Sequence, residues 1–366
     1  MVGGNASGVP VQRHGAVPDL RQAWPRASHP RPIVLIGAGA IARTAHLPAY
    51  ARLHYPVAGL YDIDAGRARA TADAFGLSVF MSLADAVRAE HAVFDLAVPG
   101  DQVLPVLEQL PAGSAVLIQK PMGPDLATAR RILEACARRR FIAAINFQLR
   151  FSPGMLALKD LVDQGTLGEL VDIDVRLVVE QPWHNWTFLK GAPRLEVVYH
   201  SIHYIDAIRW LAGEPRGVYC RGVGHPTTPQ LQDTRTSMIL DYGDRLRCSL
   251  VMNHTHRNGP RQRMSQIMIE GTDGAARMTM GVNLSYPSGP SDTMETARGE
   301  TWTEVPLRGS WFTEAFEGPM SNLQRFAAGE DTVLVGSVQD AIKTMAVVEA
   351  CYQSSAAGAT PIPSCE

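Results

Sequence analysis

The chain has 366 residues, 46% of them hydrophobic, enough for two domains with cores of their own. A net charge of −2 argues against nucleic acid or an anionic membrane surface as partner, and no apolar run approaches the ~20 residues of a membrane span. Five cysteines without C-x-x-C spacing exclude a disulfide framework or zinc ribbon and suit reduced thiols in the cytoplasm.

Residues 1–30 are rich in Gly, Pro and Arg and lack the apolar core of a secretory signal. They are expected as a disordered tail, or as an arm around a neighbouring subunit. The β-branched run at 33–36 then leads into Gly37-Ala38-Gly39-Ala40-Ile41-Ala42, a G-x-G-x-x-A fingerprint opening a helical stretch through His46. Gly37 permits a tight turn, Gly39 lets backbone amides approach a pyrophosphate, and Ala42 is small enough for close helix–strand packing. A second strand at 57–62 ends on Asp62, where a carboxylate binds the adenosine ribose diol and repels a 2′-phosphate. NAD is therefore expected over NADP, a preference that Arg67 softens.

Helices at 65–75, 83–90, 103–110 and 125–139 alternate with strands at 92–98, 115–118 and 141–146, which predicts a doubly wound parallel Rossmann sheet over 31–150. The strand at 115–118 delivers Lys120 at its C-terminal end, and Pro121 stops it. Ligands of open α/β sheets sit at that edge, and an ammonium there is costly to bury without a task.

Residues 151–366 have a different texture. Alternation at 171–180, 219–223, 234–240, 245–253 and 266–269 predicts an α+β domain with a large, mostly antiparallel open sheet. Its outer face is available to a second copy, so a homo-oligomer, dimer or tetramer, is expected. A helix at 337–354 is expected to pack back on the Rossmann domain. Another, at 195–211, places Glu196, Tyr199, His203 and Asp206 on one face at α-helical spacing. His203 with Asp206 is then an imidazole beside a carboxylate that fixes its tautomer. His200-x-x-His203 and His254-x-His256 bring no adjacent acid or third ligand, so no metal is expected. In the segment 181–194, Trp183 and Trp186 can stack on a pyranose, while Lys190, Arg194 and Arg150 bring positive charge. That combination predicts a rim for a sugar carrying an anionic substituent.

Together these motifs resemble the Gfo/Idh/MocA family of nicotinamide-dependent sugar and cyclitol oxidoreductases. Its fingerprint matches Gly37, Gly39 and Ala42, and its E-K-P appears as Gln119-Lys120-Pro121. Asn146 and Arg150 match the segment after the last Rossmann strand, and Tyr352-Gln353-Ser354 with Gly358 looks like its C-terminal helix. Its D-x-G-x-H-x-x-D helix appears as Tyr199 to Asp206, with Tyr199 in place of Asp and Ser201 in place of Gly. The resemblance implies hydride transfer between NAD and a hydroxyl or keto carbon of a sugar, glycoside or cyclitol. It implies that Gly37, Gly39, Ala40, Ile41, Ala42, Asp62, Pro99, Gln119 and Lys120 hold the cofactor. Lys120, His203 and Tyr199 become the catalytic candidates, and Arg150, Trp183, Trp186, Lys190, Arg194, Tyr199 and His203 the substrate-binding set. Two other readings stand beside it: a glycosidase that retains NAD and oxidises, eliminates and re-reduces, and a non-catalytic dinucleotide or sugar sensor.

Overall fold

A computed structural model describes residues 19–183 and 189–364. In the first half, β1 (Ile33–Ile36), α1 (Leu47–Leu53), β2 (Val57–Tyr61), α2 (Ala65–Phe75), α3 (Leu83–Ala86), β3 (Val93–Leu96), α4 (Val103–Leu107), β4 (Ala115–Gln119), α5 (Leu126–Arg138) and β5 (Ile142–Asn146) alternate. Their termini follow local chemistry. Asp64 and Asp125 accept the Arg67 and Thr128 backbone N–H groups as N-caps of α2 and α5, and α2 ends on left-handed Gly76. The strands pair in parallel in the order β2-β1-β3-β4-β5. Helices cover both faces, so β1 and β3 are buried at every residue, and each fully buried Leu or Ile contributes roughly 1.5–3 kcal/mol. The order reverses between β1 and β3, which opens a crevice at their C-terminal ends.

The second half follows with α6 (Pro153–Asp163), β6 (Leu170–Val178) and α7 (Ile202–Ala212). Strands β7 (Gly217–Val223), β8 (Arg235–Asp241), β9 (Arg247–Asn253), β10 (Met264–Gly271), β11 (Ala275–Thr279), β12 (Thr293–Arg298) and β13 (Thr301–Val305) come next, then α8 (Glu317–Ala327) and α9 (Val338–Ala357). They form an eight-stranded sheet, β13-β12-β11-β10-β6-β9-β8-β7, antiparallel except where β6 meets β9. Ile173, Val175 and Leu177 alternate inward and share one core with Met155 and Leu158 of α6 and Ile202 and Ile205 of α7. Helix α9 wedges between α5, α7 and β7, and α8 lies on β4 and β5.

The segment 19–30 differs from the expected tail. Leu20 joins the core, the Arg21 backbone N–H donates to Asp160 at 2.7 Å, and the Trp24 indole N–H donates to Asp331 at 2.8 Å. Burying Leu20 and Trp24 outweighs the disorder-prone composition around them. Residues 1–18 lie outside the described residues. Among the described residues, no helix is long and apolar enough to cross a membrane.

Candidate active site

The cofactor end is built from backbone. Gly37 follows β1 with φ +101°, and a Cβ there would stand 2.4 Å from the Ala97 carbonyl oxygen, so only glycine fits. A Cβ on Gly39 would meet open space, the cradle a pyrophosphate requires, whereas Ala42 is fully buried and packs without lining the cavity. Asp62, just past β2, accepts the Ala38 and Asp64 backbone N–H groups at 2.8 Å each, and the Arg67 guanidinium lies 3.5 Å away. These donors orient the carboxylate group along the same cavity, so the residues present fit a dinucleotide.

That cavity, about 1090 Å³, continues past Gly39, Ala40, Ile41, Pro99 and Gln119 to Lys120, Tyr199 and His203. Pockets for one drug-sized ligand run ~300–1,000 Å³, so there is room for a cofactor and a second small molecule end to end. At the end of β4, Lys120 Nζ donates to the Tyr199 carbonyl at 2.6 Å, and burial lowers its pKa to about 8. Desolvation, then Lys120, pushes His203 well below the usual histidine range, leaving a neutral imidazole at neutral pH. The Tyr199 phenol is raised by burial and by Asp101, so it stays protonated.

The helix carrying these groups departs from the uninterrupted α-helix predicted at 195–211. A π-helical turn, Val197–Ser201, precedes α7, and its wider pitch shifts the phase. Tyr199 and His203 face the cavity, while Glu196 and Asp206 turn into the core. Asp206 consequently does not orient His203. Its oxygens accept Arg150 Nε at 2.5 Å and Nη2 at 2.6 Å, with Thr344 at 2.8 Å, and His203 Nδ1 finds no hydrogen-bond partner among the described residues.

The predicted anion rim also fails. Arg150 is buried between Asp206 and Asp340, and Arg194 forms a bidentate pair with Glu349 at 2.6 and 2.9 Å. Both guanidiniums already have carboxylates and neither lines the cavity. Lys190 is exposed and off the cavity. Trp183 packs edge-on against His200, ring centroids 4.9 Å apart, without lining the cavity. Trp186 lies outside the described residues.

Other groups take that place. His200 and His254 line the wall beyond Lys120, their rings 4.6 Å apart. An aromatic wall of Tyr286, Trp311, Phe312 and Phe316 stands in the same cavity, the other three ring centroids each 5.3 to 5.8 Å from that of Phe312. The His254-x-His256 spacing is the one sequence signal for the first of these. Among the described residues, no cluster of His, Cys, Asp or Glu could hold a metal ion.

A parallel crevice with this fingerprint, joined to a lysine at a strand end and a histidine on the next domain, defines a dinucleotide-dependent oxidoreductase fold. The family model described as an oxidoreductase family with an NAD-binding Rossmann fold, Gfo/Idh/MocA, matches residues 31–147, and the family's C-terminal domain model matches 155–277. The chain belongs to the Gfo/Idh/MocA family. It is 35% identical over 174 residues to an inositol 2-dehydrogenase of Leifsonia xyli subsp. xyli, covering 43% of this chain and 46% of that protein. The chain thus spans about half the length of that relative. It is 26% identical to a D-apiose dehydrogenase of Paraburkholderia graminis over 89% of this chain and 88% of that one. An oxidoreductase from Agrobacterium radiobacter, solved with NAD+, L-tartaric acid and magnesium, shares the fold at TM-score 0.76 and 19% identity, over 90% of this chain and 97% of that one. An aldose-aldose oxidoreductase from Caulobacter crescentus, solved with glycerol, shares it at TM-score 0.76 and 17% identity, over 90% and 99%.

Proposed function

We propose that this protein is an NAD-dependent dehydrogenase or reductase acting on a hydroxyl or keto carbon of a neutral sugar or cyclitol. The observation that carries this reading is the placement of Lys120, Tyr199 and His203 in one cavity with the Gly37–Gly39 cradle and Asp62. The bound nicotinamide supplies the hydride chemistry, and the protein holds the polyol and moves one proton. Lys120, with a pKa of about 8, has a neutral fraction near physiological pH, and that form takes the proton of the reacting hydroxyl in the oxidative direction. Neutral His203 accepts or relays a hydrogen bond beside it, and the protonated Tyr199 phenol donates one. The names of the inositol and apiose dehydrogenase relatives support a polyol substrate. The aromatic wall supports it too, since such rings stack on the C–H face of a sugar. With Arg150 and Arg194 paired elsewhere, an anionic substituent is dropped from the proposal.

The test is kinetic. Lys120→Ala and His203→Ala should each lower kcat by about 10²- to 10⁴-fold while NAD affinity is kept. Near-wild-type kcat in either variant would remove that residue from the chemistry.

We further propose a dimer or tetramer assembled on the outer face of the second sheet, where Tyr219, Ile239 and Val251 are exposed. A monomer by light scattering at micromolar concentration would contradict it. Cys136, Cys220, Cys248 and Cys351, buried as free thiols, support a reducing, cytoplasmic compartment.

A further inference from the structure

On the wall that the second domain contributes, one neutral side chain is held in place with a polar atom to spare. Asn283 stands in a short 3-10 turn, Gly281–Ser285, that follows β11. The turn is pinned to the chain ahead of β12. The Gly281 N–H donates to Asp292 at 2.9 Å, and a Cβ on Gly281 would stand 2.4 Å from the Pro290 and Ser291 carbonyl oxygens. The Asn283 amide nitrogen donates to Ser265 Oγ at 2.9 Å and to Tyr204 Oη at 3.3 Å, and both hydroxyls belong to buried residues. Its two hydrogens are thus used on protein, while Oδ1 is neither hydrogen-bonded among the described residues nor sealed from solvent. The residue is half-buried and lines the cavity. Were the amide turned over, the two hydroxyls would donate to Oδ1 and the amino group would face outward. A ligand hydroxyl, both donor and acceptor, pairs with either end.

The register of the second sheet sets this amide on a different wall from Lys120. Ser265 pairs with Leu177, and the Met280 N–H donates to the Ser265 carbonyl at 2.9 Å. Leu177, Met280 and Asn283 therefore line the cavity together from one end of that sheet. Lys120 enters from the other domain, just past the end of β4. Tyr204 directly follows His203 on α7, both line the cavity, and it is the Tyr204 hydroxyl that meets Asn283. An amide fixed in this way, next along from the reacting groups, selects by position.

We propose that Asn283 is a specificity-determining residue that pairs with a substrate hydroxyl other than the one held at Lys120. Asn283 touches substrate, and Ser265 and Tyr204 are positioning residues that fix its amide. The inference rests on the polyol reading above. A site built to pair with a hydroxyl rejects the analogue lacking it far more strongly than an apolar pocket does, because its own polar group is then stranded.

The experiment measures NADH formation by wild type with NAD+ and myo-inositol, D-apiose or D-glucose, and with the monodeoxy analogues of each. Wild type should disfavour the analogue lacking one particular non-reacting hydroxyl by about ten- to a hundred-fold in kcat/KM, mostly through KM. Asn283→Leu should lose a similar factor on the parent polyol and almost nothing further on that analogue, because the partner is already gone. Discrimination at the other hydroxyls should be kept. Asn283→Ala gives the same reading with a smaller side chain, should leucine not be accommodated. Asn283→Asp keeps an outward oxygen and should retain most of the discrimination. Ser265→Ala, which frees one side of the amide, should narrow it through KM with kcat largely kept. Discrimination unchanged in Asn283→Leu and Asn283→Ala, or lost equally at every hydroxyl, would overturn the inference while leaving the polyol reading standing. Wild type that forms no NADH with any of these polyols would remove both.

Discussion

Lys120 Nζ, just past the C-terminal end of Rossmann strand β4, donates to the backbone carbonyl of Tyr199 on the helix of the second domain, 2.6 Å away. This contact fixes the lysine across the domain junction and spends one of its three donors on protein. The lysine lines a cavity that also holds His203. Burial lowers the lysine to about 8, which makes it a usable base just above neutrality.

The pH profile of polyol oxidation follows. The neutral amine is the reactive form, so kcat/KM should rise tenfold per pH unit below a pKa of about 8 and level off above it. The Lys120→Arg variant should lose this limb. A profile flat from about pH 6 to 9 would contradict a lysine base.

The same burial has a stability consequence. The unfolded chain holds the lysine proton at its ordinary value of 10.5 and the folded protein at about 8, so between them the unfolded state binds more protons. Stability contributed by this group therefore rises with pH through that window, and the penalty is full below it. Lys120→Met should raise the free energy of unfolding near neutrality by about 1 to 3 kcal/mol, after allowing for the lost hydrogen bond and the partial contact with the cavity. The gain should shrink at about pH 10. Urea unfolding at the two pH values checks this, and a variant destabilised at both would contradict it.

Arg150 is held by Asp206 and Asp340 in the core, so its removal should act on the fold. Arg150→Ala should cost about 3 to 5 kcal/mol, because it leaves buried carboxylates without their cation. The ratio of kcat/KM for an acidic sugar and its neutral counterpart should not change in the folded fraction. A selective loss on the acidic sugar would return Arg150 to the substrate site.

Asp62 should set the cofactor preference. Asp62→Ser removes a carboxylate held by two backbone N–H groups beside Arg67, and the ratio of kcat/KM for NADP to that for NAD should rise by at least about tenfold, since a like-charge contact costs several kcal/mol. Wild type that favours NADP would contradict the role.

Much of this molecule is legible because its signals are local. The run Ile33–Ile36, the fingerprint after it, the Asp125 cap and the Gly76 stop each act within a few residues, and the parallel domain follows from them. The second sheet is only partly legible. Strands β11 to β13 are short and carry Thr, Arg and Glu on their outer face, so their alternation is weak. In the site, Lys120 and His203 stand out through motifs. The phase of the helix does not, because a π-helical turn at Val197–Ser201 changes which residues face inward without any proline or glycine to announce it. Arg150 and Arg194 look like free cations in sequence, yet Asp206 and Asp340, and Glu349, reach them from 56 to 190 residues away. Trp311, Phe312 and Phe316 are neighbours in sequence, but only tertiary packing brings them to the cavity and to Tyr286.

The central claim is tested most directly by absorbance of NADH in a mixture of the protein, NAD+ and a panel of free sugars and cyclitols that includes myo-inositol and D-apiose. The account predicts sustained NADH formation with at least one neutral polyol, stoichiometric with the ketone or lactone formed and slowed by about 10²- to 10⁴-fold in Lys120→Ala. Cleavage of glycosides with no net NADH, or no NADH with any polyol while NAD+ binds normally, would contradict it.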